Sequence, residues 1–345
     1  MRRRTAVCAA LALTGALPLG ALGRQPAAPG IYGRRADVLT AAQRIALDHD
    51  LDTSWVEAAL AQARYMPAVA QLIMPPPRVV ARNWAAYRAR FVETRRIEAG
   101  QGWWRDNETW LRLAHERFGV PPEIVVGIVG VETYYGRITG NFRVLDALAT
   151  LAFDFPIGRS DRSVFFQSEL GYYLRLARRL GWDPAAVKGS YAGAMGLPQF
   201  MPSSTVYYAI DFDEDGRIDL HASAADVIGS VARFLAEHAW ERDLPTHYAV
   251  EPPVATVDRA LLLVPDIVPS FSPAQMRERG ARLDGPALGH DGLLALIELL
   301  NGDDAPSYVA GTQNFYVLTR YNASSYYALA VIELGRAVAA ANGRP

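Results

Sequence analysis

One carboxylate stands in the middle of an almost wholly apolar stretch of this 345-residue chain. The run Gly119-Val-Pro-Pro-Glu-Ile-Val-Val-Gly-Ile-Val-Gly-Val-Glu132-Thr-Tyr-Tyr-Gly136 reads as a helix. Pro121 and Pro122 suit its first position, where a missing N–H costs nothing. Glu123 then faces the positive end of the helix dipole, and Gly136 is the expected stop. Glu132 follows Ile128 by four residues and Val129 by three, so it lies on the side those residues bury. Carboxylates are seldom buried without a partner or a task. Desolvation disfavours the charged form, so Glu132 is expected to hold a proton near neutral pH, as a general acid must. The other reading is a buried glutamate satisfied by an arginine or by backbone N–H groups. The helix alone leaves both open.

A second block, Lys188-Gly-Ser-Tyr-Ala-Gly-Ala-Met-Gly-Leu-Pro-Gln-Phe-Met-Pro-Ser-Ser204, combines three glycines with neutral polar groups and soft apolar ones. Ser190, Gln199, Ser203 and Ser204 offer donors and acceptors; Tyr191, Met195, Phe200 and Met201 offer flat or pliable surface. Such a lining suits a sugar, which carries hydroxyls at its rim and C–H groups on its faces. A glycine-rich helix-packing turn would have much the same composition.

A third constellation, Asp211-Phe-Asp213-Glu-Asp215-Gly216-Arg-Ile218-Asp219, fits the first nine positions of a calcium-binding EF-hand loop. Oxygen ligands fall at positions 1, 3, 5 and 9, with glycine at 6 and the Arg217 carbonyl at 7. Ala222 stands where a bidentate glutamate is usual. The competing reading is a solvated acidic turn.

These residues need a framework, and the composition supplies one. The chain is 50 % hydrophobic and 21 % charged, with a formal charge of −1. Nothing in that balance favours nucleic acid or an anionic membrane as partner. Arg2 to Arg4 followed by the apolar Ala6–Leu22 and the small residues Ala21-Leu-Gly23 read as a secretory signal peptide. Its removal would take the charge to −4 and remove Cys8, the only cysteine, so no disulfide staples the exported chain. Cys8 lies too near the start for a lipid-attachment signature. Helical spacing of apolar residues marks Ala36–Asp48, Ser54–Tyr65, Trp103–Phe118, Phe165–Leu180, Ala224–Trp240 and Asn322–Ala341. Met74-Pro-Pro-Pro77 breaks the pattern as an extended strap. Between Leu244 and Tyr308 prolines punctuate short runs, giving a small inserted module with some β-structure, in which Leu293–Leu300 reads as one helix.

Taken together, the blocks resemble the lytic murein transglycosylase B family of the lysozyme-like superfamily. The matching segments are Gly119–Glu132, Val144–Leu151, Gly189–Ser204, Asp226–Ala232 and Asn314–Asn322. The resemblance implies a mainly α fold (α+β) with a lysozyme-like helical catalytic core. It divides the chain into a signal peptide (1–23), an N-terminal helical domain (31–118) and the core (119–243, with the EF-hand-like loop at 211–226). An inserted α/β subdomain (244–311) precedes the C-terminal part of the core (312–345). Carried over by position, Glu132 is the catalytic acid and base. Ser190, Gln199, Tyr321, Asn322 and Tyr327 line a glycan groove, with Met195 and Phe200 as apolar walls. Asp226, as in relatives, would close the ion's shell beside Asp211, Asp213, Asp215, Arg217 and Asp219. Near Pro156 the family has adjacent basic residues, where this chain separates Arg159 from Arg162.

Ordinary glycosidases use two carboxylates. Around Glu132 no second one is evident, since Asp146 and Asp154 fall in structural-looking segments. The family's chemistry needs only one. Glu132 would protonate the glycosidic oxygen between N-acetylmuramic acid and N-acetylglucosamine in peptidoglycan. It would then take the proton of the muramyl 6-hydroxyl, closing a 1,6-anhydro ring without water. A hydrolytic muramidase and a non-catalytic wall-binding scaffold are the alternatives. The implied setting is a periplasmic monomer acting on glycan strands, with wall-remodelling complexes as partners. It needs no cofactor for chemistry, and calcium has a structural role.

Overall fold

The computed structural model describes residues 32–75 and 81–344. The expected signal peptide, and Pro76 and Pro77 of the strap, lie outside the described residues. The fold is mainly helical and organised around three cores.

The first core surrounds the helix Pro122–Thr133, in which Ile124, Val125, Val126, Ile128 and Val129 are buried. Its chief partner is the C-terminal helix Ser325–Ala341. The two backbones come close because a Cβ at Gly127 would run into the Val331 carbonyl, and one at Gly335 into the Glu123 carbonyl. This contact decides what faces Glu132. The helix ends at Thr133, earlier than the expected stop at Gly136: Tyr134, Tyr135 and Gly136 are all left-handed, with φ of 53°, 56° and 86°. The expected helix Trp103–Phe118 is two, Thr94–Asp106 and Glu108–Phe118. Asn107 makes the break by donating its side-chain amide to the Trp103 carbonyl at 2.8 Å.

The second core joins Ala36–His49, Thr53–Ala61 and Pro67–Leu72 to Val144–Phe153 and Ser163–Leu180. The helices expected within 31–118 therefore divide between cores: those before Ile73 join the second, while Trp84, Trp104 and Leu111 are buried in the first.

The third core is the inserted module, centred on Leu262, Met276, Leu294, Leu296 and Ala310. Its antiparallel sheet runs Arg282–Leu283, His247–Glu251, Asp304–Gly311, Ala295–Asn301. Leu293–Leu300 is thus mostly strand, against the expected helix. A turn at Gly302 (φ 68°) folds the run back on Asp304–Gly311, and a short apolar run does not distinguish the two states by periodicity. Buried Asn314 seals the junction with the core. It accepts from the Glu241 N–H at 2.8 Å and donates to the Glu241 and Leu244 carbonyls at 2.7 and 2.8 Å.

Candidate active site

Glu132 is the penultimate residue of its helix and is partly accessible. The Tyr327 hydroxyl donates to Glu132 Oε1 at 2.6 Å. Desolvation raises the carboxyl pKa to about 7, against the smaller downward pull of that hydrogen bond. Among the described residues no second carboxylate contributes to this shift. Asp146 accepts from the Arg64 N–H at 2.9 Å, and Asp154 holds the Tyr32 hydroxyl and the Arg35 guanidinium, so both are structural.

Tyr327 opens the C-terminal helix, where Ser324 caps its N–H. It is 2 % exposed, and burial, with the Glu132 charge next, holds its hydroxyl well above the usual phenol range. It therefore remains a donor. Its ring stacks on Tyr321, centroids 6.3 Å apart and planes 14° from parallel. Tyr321, 4 % exposed, donates in turn to the Pro198 carbonyl at 2.5 Å. A chain of contacts thus runs from the Glu132 helix through the C-terminal segment into the glycine-rich block.

That block is tied to itself and to the end of the Glu132 helix. Met195 and Phe200 exchange backbone hydrogen bonds at 2.8 and 3.1 Å, closing a loop over Gly196–Gln199. Both side chains are 2 % exposed; Phe200 packs on Tyr321 and Phe234 beneath the surface. Gln199, left-handed at φ 49°, donates to the Gly196 and Thr139 carbonyls at 2.9 and 3.1 Å. Ser190 Oγ accepts from the N–H groups of Ala192 and Ala194. Thr133, next to Glu132, donates to the Leu197 carbonyl at 3.0 Å and accepts from the Gly136 N–H at 3.1 Å. Asn322 follows the helix Gln313–Tyr321, and its Oδ1 is buried with no partner among the described residues.

The structure therefore gathers Glu132, Tyr327, Tyr321, Gln199 and the 195–200 loop into one connected assembly. The arginines near Pro156 are engaged elsewhere: Arg159 donates to the Ile73 carbonyl, and Arg162 lies over the rings of Phe165 and Phe166. Tyr87 was not anticipated. Burial raises its pKa and the Glu132 charge raises it further. The only signal was aromatic spacing, Trp84-x-x-Tyr87-x-x-x-Phe91, along and just beyond the short helix Trp84–Ala89.

At the acidic loop, Asp211, Asp213 and Asp226 bring carboxylate oxygens within 4.8 Å of one another. Asp213 Oδ1 is buried with no partner among the described residues, while Asp226 is held by the N–H groups of Phe212 and Asp219, both at 2.7 Å. Hard oxygen donors around a buried, unmatched carboxylate oxygen fit a calcium ion. Asp215 and Asp219 accept from backbone N–H groups of Arg217, His221 and Ala222, as Asp211 does from those of Asp215 and Gly216.

A helical core presenting one desolvated glutamate to a Gly-Leu-Pro-Gln-Phe loop defines a lysozyme-like, glycan-cleaving class. Residues 34–336 match the family model described as the Transglycosylase SLT domain, and the chain belongs to that family. It is 38 % identical over 301 residues to membrane-bound lytic murein transglycosylase B of Escherichia coli (strain K12), covering 85 % of this chain and 80 % of that one. It resembles the E. coli lytic transglycosylase Slt35, solved with bulgecin A and with calcium, at 35 % identity and TM-score 0.80 over 92 % of this chain and 97 % of that one. It also resembles soluble lytic transglycosylase SltB1 from Pseudomonas aeruginosa at 37 % identity and TM-score 0.80, covering 89 % and 99 %. The chain is a lytic transglycosylase of peptidoglycan.

Proposed function

We propose that Glu132 alone carries the chemistry, first as acid and then as base. The observation that supports this is its isolation: a single carboxyl, pushed up to about 7 by burial and held by Tyr327, with no second carboxylate among the described residues acting on it. In this reading the protonated carboxyl gives its proton to the oxygen between N-acetylmuramic acid and N-acetylglucosamine. The bond from that oxygen to the anomeric carbon breaks, and the substrate's N-acetyl oxygen supports the carbon. Glu132, now ionised, removes the proton of the muramyl 6-hydroxyl as its oxygen bonds to the anomeric carbon. Proton donor and acceptor are one group, so a pKa near neutrality serves both steps. Glu132→Gln keeps the shape and removes the proton, and its turnover of sacculi should fall at least ~100-fold; near wild-type turnover would overturn the assignment.

Ser190, Gln199 and Asn322 form the polar lining of the groove, and the unmatched Asn322 Oδ1 suits the N–H of an N-acetyl group. Met195, Phe200, Tyr321 and Tyr327, all buried, build the floor and fix the acid. Calcium, bound by Slt35, fits Asp211, Asp213 and Asp226 here as a structural ion that pins the 211–226 loop. No helix among the described residues is long and apolar enough to cross a membrane. Export to the periplasm, where peptidoglycan lies, rests on the N-terminal basic-then-apolar segment. The 244–311 module, with a core of its own, stands as an insertion in the catalytic domain.

A further inference from the structure

We propose that Arg96 is a positioning residue for Glu132, acting through the backbone at the end of the catalytic helix. The inference rests on Glu132 being the acid.

Because Glu132 is the last residue but one of its helix, the final turn sets the direction of its side chain. That turn runs straight into three successive left-handed residues, two of them tyrosines. Each non-glycine residue in that region costs on the order of 1–2 kcal/mol and persists only where its surroundings hold it. Two hydrogen bonds that close the helix end are long, Tyr134 N–H to the Gly130 carbonyl at 3.2 Å and Tyr135 N–H to the Val129 carbonyl at 3.3 Å, while Ile138 N–H reaches the Thr133 carbonyl at 2.9 Å beyond the turn.

The shortest contact comes from another helix. Arg96 Nη1 donates to the Gly130 carbonyl at 2.6 Å. The same guanidinium carbon lies 4.5 Å from the Tyr134 ring centroid, with Arg137 at 4.8 Å from that ring. One side chain thus grips the carbonyl two residues before Glu132 and the ring two residues after it. A cation at the carbonyl end of a helix also meets the negative end of its dipole.

Arg96 is itself fixed in place. It lies in the first turn of Thr94–Asp106, where the Glu93 carboxylate accepts from the N–H groups of Arg95 and Arg96 at 2.8 and 2.7 Å. Its guanidinium lies 5.3 Å from the Phe91 ring centroid, and its Nε is buried with no partner among the described residues. A buried, incompletely matched donor is costly, and a side chain placed only for packing would not need one. Tyr327 thus fixes the carboxyl from one side while Arg96 fixes its backbone from the other. Proton transfer is sensitive to such placement, since a shift of about 1 Å can cost ~100-fold in rate.

The test compares Arg96→Met, Arg96→Lys and Glu132→Gln in the full chain, at a temperature where circular dichroism shows each folded. Arg96→Met should lower kcat ~10–100-fold with KM within about twofold, and Arg96→Lys, which keeps the charge but loses the planar group lying over Tyr134 and Phe91, should recover only part of the loss. Wild-type kcat in Arg96→Met, or an effect confined to KM, overturns the proposal. If Arg96→Met does not fold, Tyr134→Leu takes its place: a kcat fall supports the clamp and an unchanged kcat overturns it. Glu132→Gln separates the two readings. An active Glu132→Gln removes the acid assignment itself, whereas an inactive one beside a fully active Arg96→Met removes only the positioning role.

Discussion

The Tyr327 hydroxyl hydrogen-bonds Glu132 at 2.6 Å across 195 positions of sequence. The Glu132 carboxyl is therefore held by a residue that arrives only when the C-terminal helix closes onto Pro122–Thr133. The glycine contacts between those helices bring the two side chains within reach.

Tyr327→Phe removes the bond that lowers the Glu132 pKa. A hydrogen bond to a charged group contributes about 1.5–3 kcal/mol, so the pKa should climb by roughly 1–2 units. In a pH–rate profile the alkaline limb should move upward while the maximal rate falls. An unshifted limb would contradict the role given to this contact.

Burial of Glu132 also makes stability depend on pH. Its folded pKa of about 7 exceeds the ordinary 4.5, so its contribution to stability is complete below about pH 4.5 and is lost as pH rises through 7. The loss is at most about 3 kcal/mol. Glu132→Gln, whose amide oxygen can still accept from Tyr327, should melt above wild type near pH 8 by a margin that closes near pH 4. Melting curves showing a gap independent of pH would contradict this.

Calcium should raise the melting temperature, because it binds the folded loop and not the unfolded chain. At a hundredfold excess over Kd the gain is about 2.7 kcal/mol. Asp213→Ala removes the unmatched buried oxygen and should abolish the rise. Chelated wild type that does not respond to added calcium would remove the loop as an ion site.

Asn322→Ala should leave stability almost unchanged, since Oδ1 has no partner among the described residues to abandon. Turnover should fall ~5–100-fold, the scale of one strong hydrogen bond. Wild-type kinetics with a clearly lowered melting temperature would place Asn322 in packing instead.

The burial of Glu132 was legible because a carboxylate among the apolar residues at the end of this helix violates the burial rule. The Asp211–Asp219 loop was legible from ligand spacing. Tyr321, Asn322 and Tyr327 were legible only through resemblance, since helical spacing does not say which distant helix a tyrosine meets. The turn at Tyr134 and Tyr135 was invisible because non-glycine residues rarely adopt positive φ, so the glycine at 136 took the helix stop. Tyr87 and Arg96 lie in a segment without a motif, and their roles depend on tertiary contact alone. Leu293–Leu300 differs from the expected helix because a short, nearly continuous apolar run has the same texture in a strand, here with one face buried and the other grading to exposed Leu300, as in a short helix.

The central claim is that one carboxyl cuts the glycan without consuming water. Mass spectrometry of muropeptides released from purified sacculi in oxygen-18 water tests it most directly. Intramolecular closure predicts 1,6-anhydro products, one water lighter than hydrolytic ones and free of label. Labelled products bearing an added water at the muramyl end would contradict the single-carboxylate mechanism and point to hydrolysis.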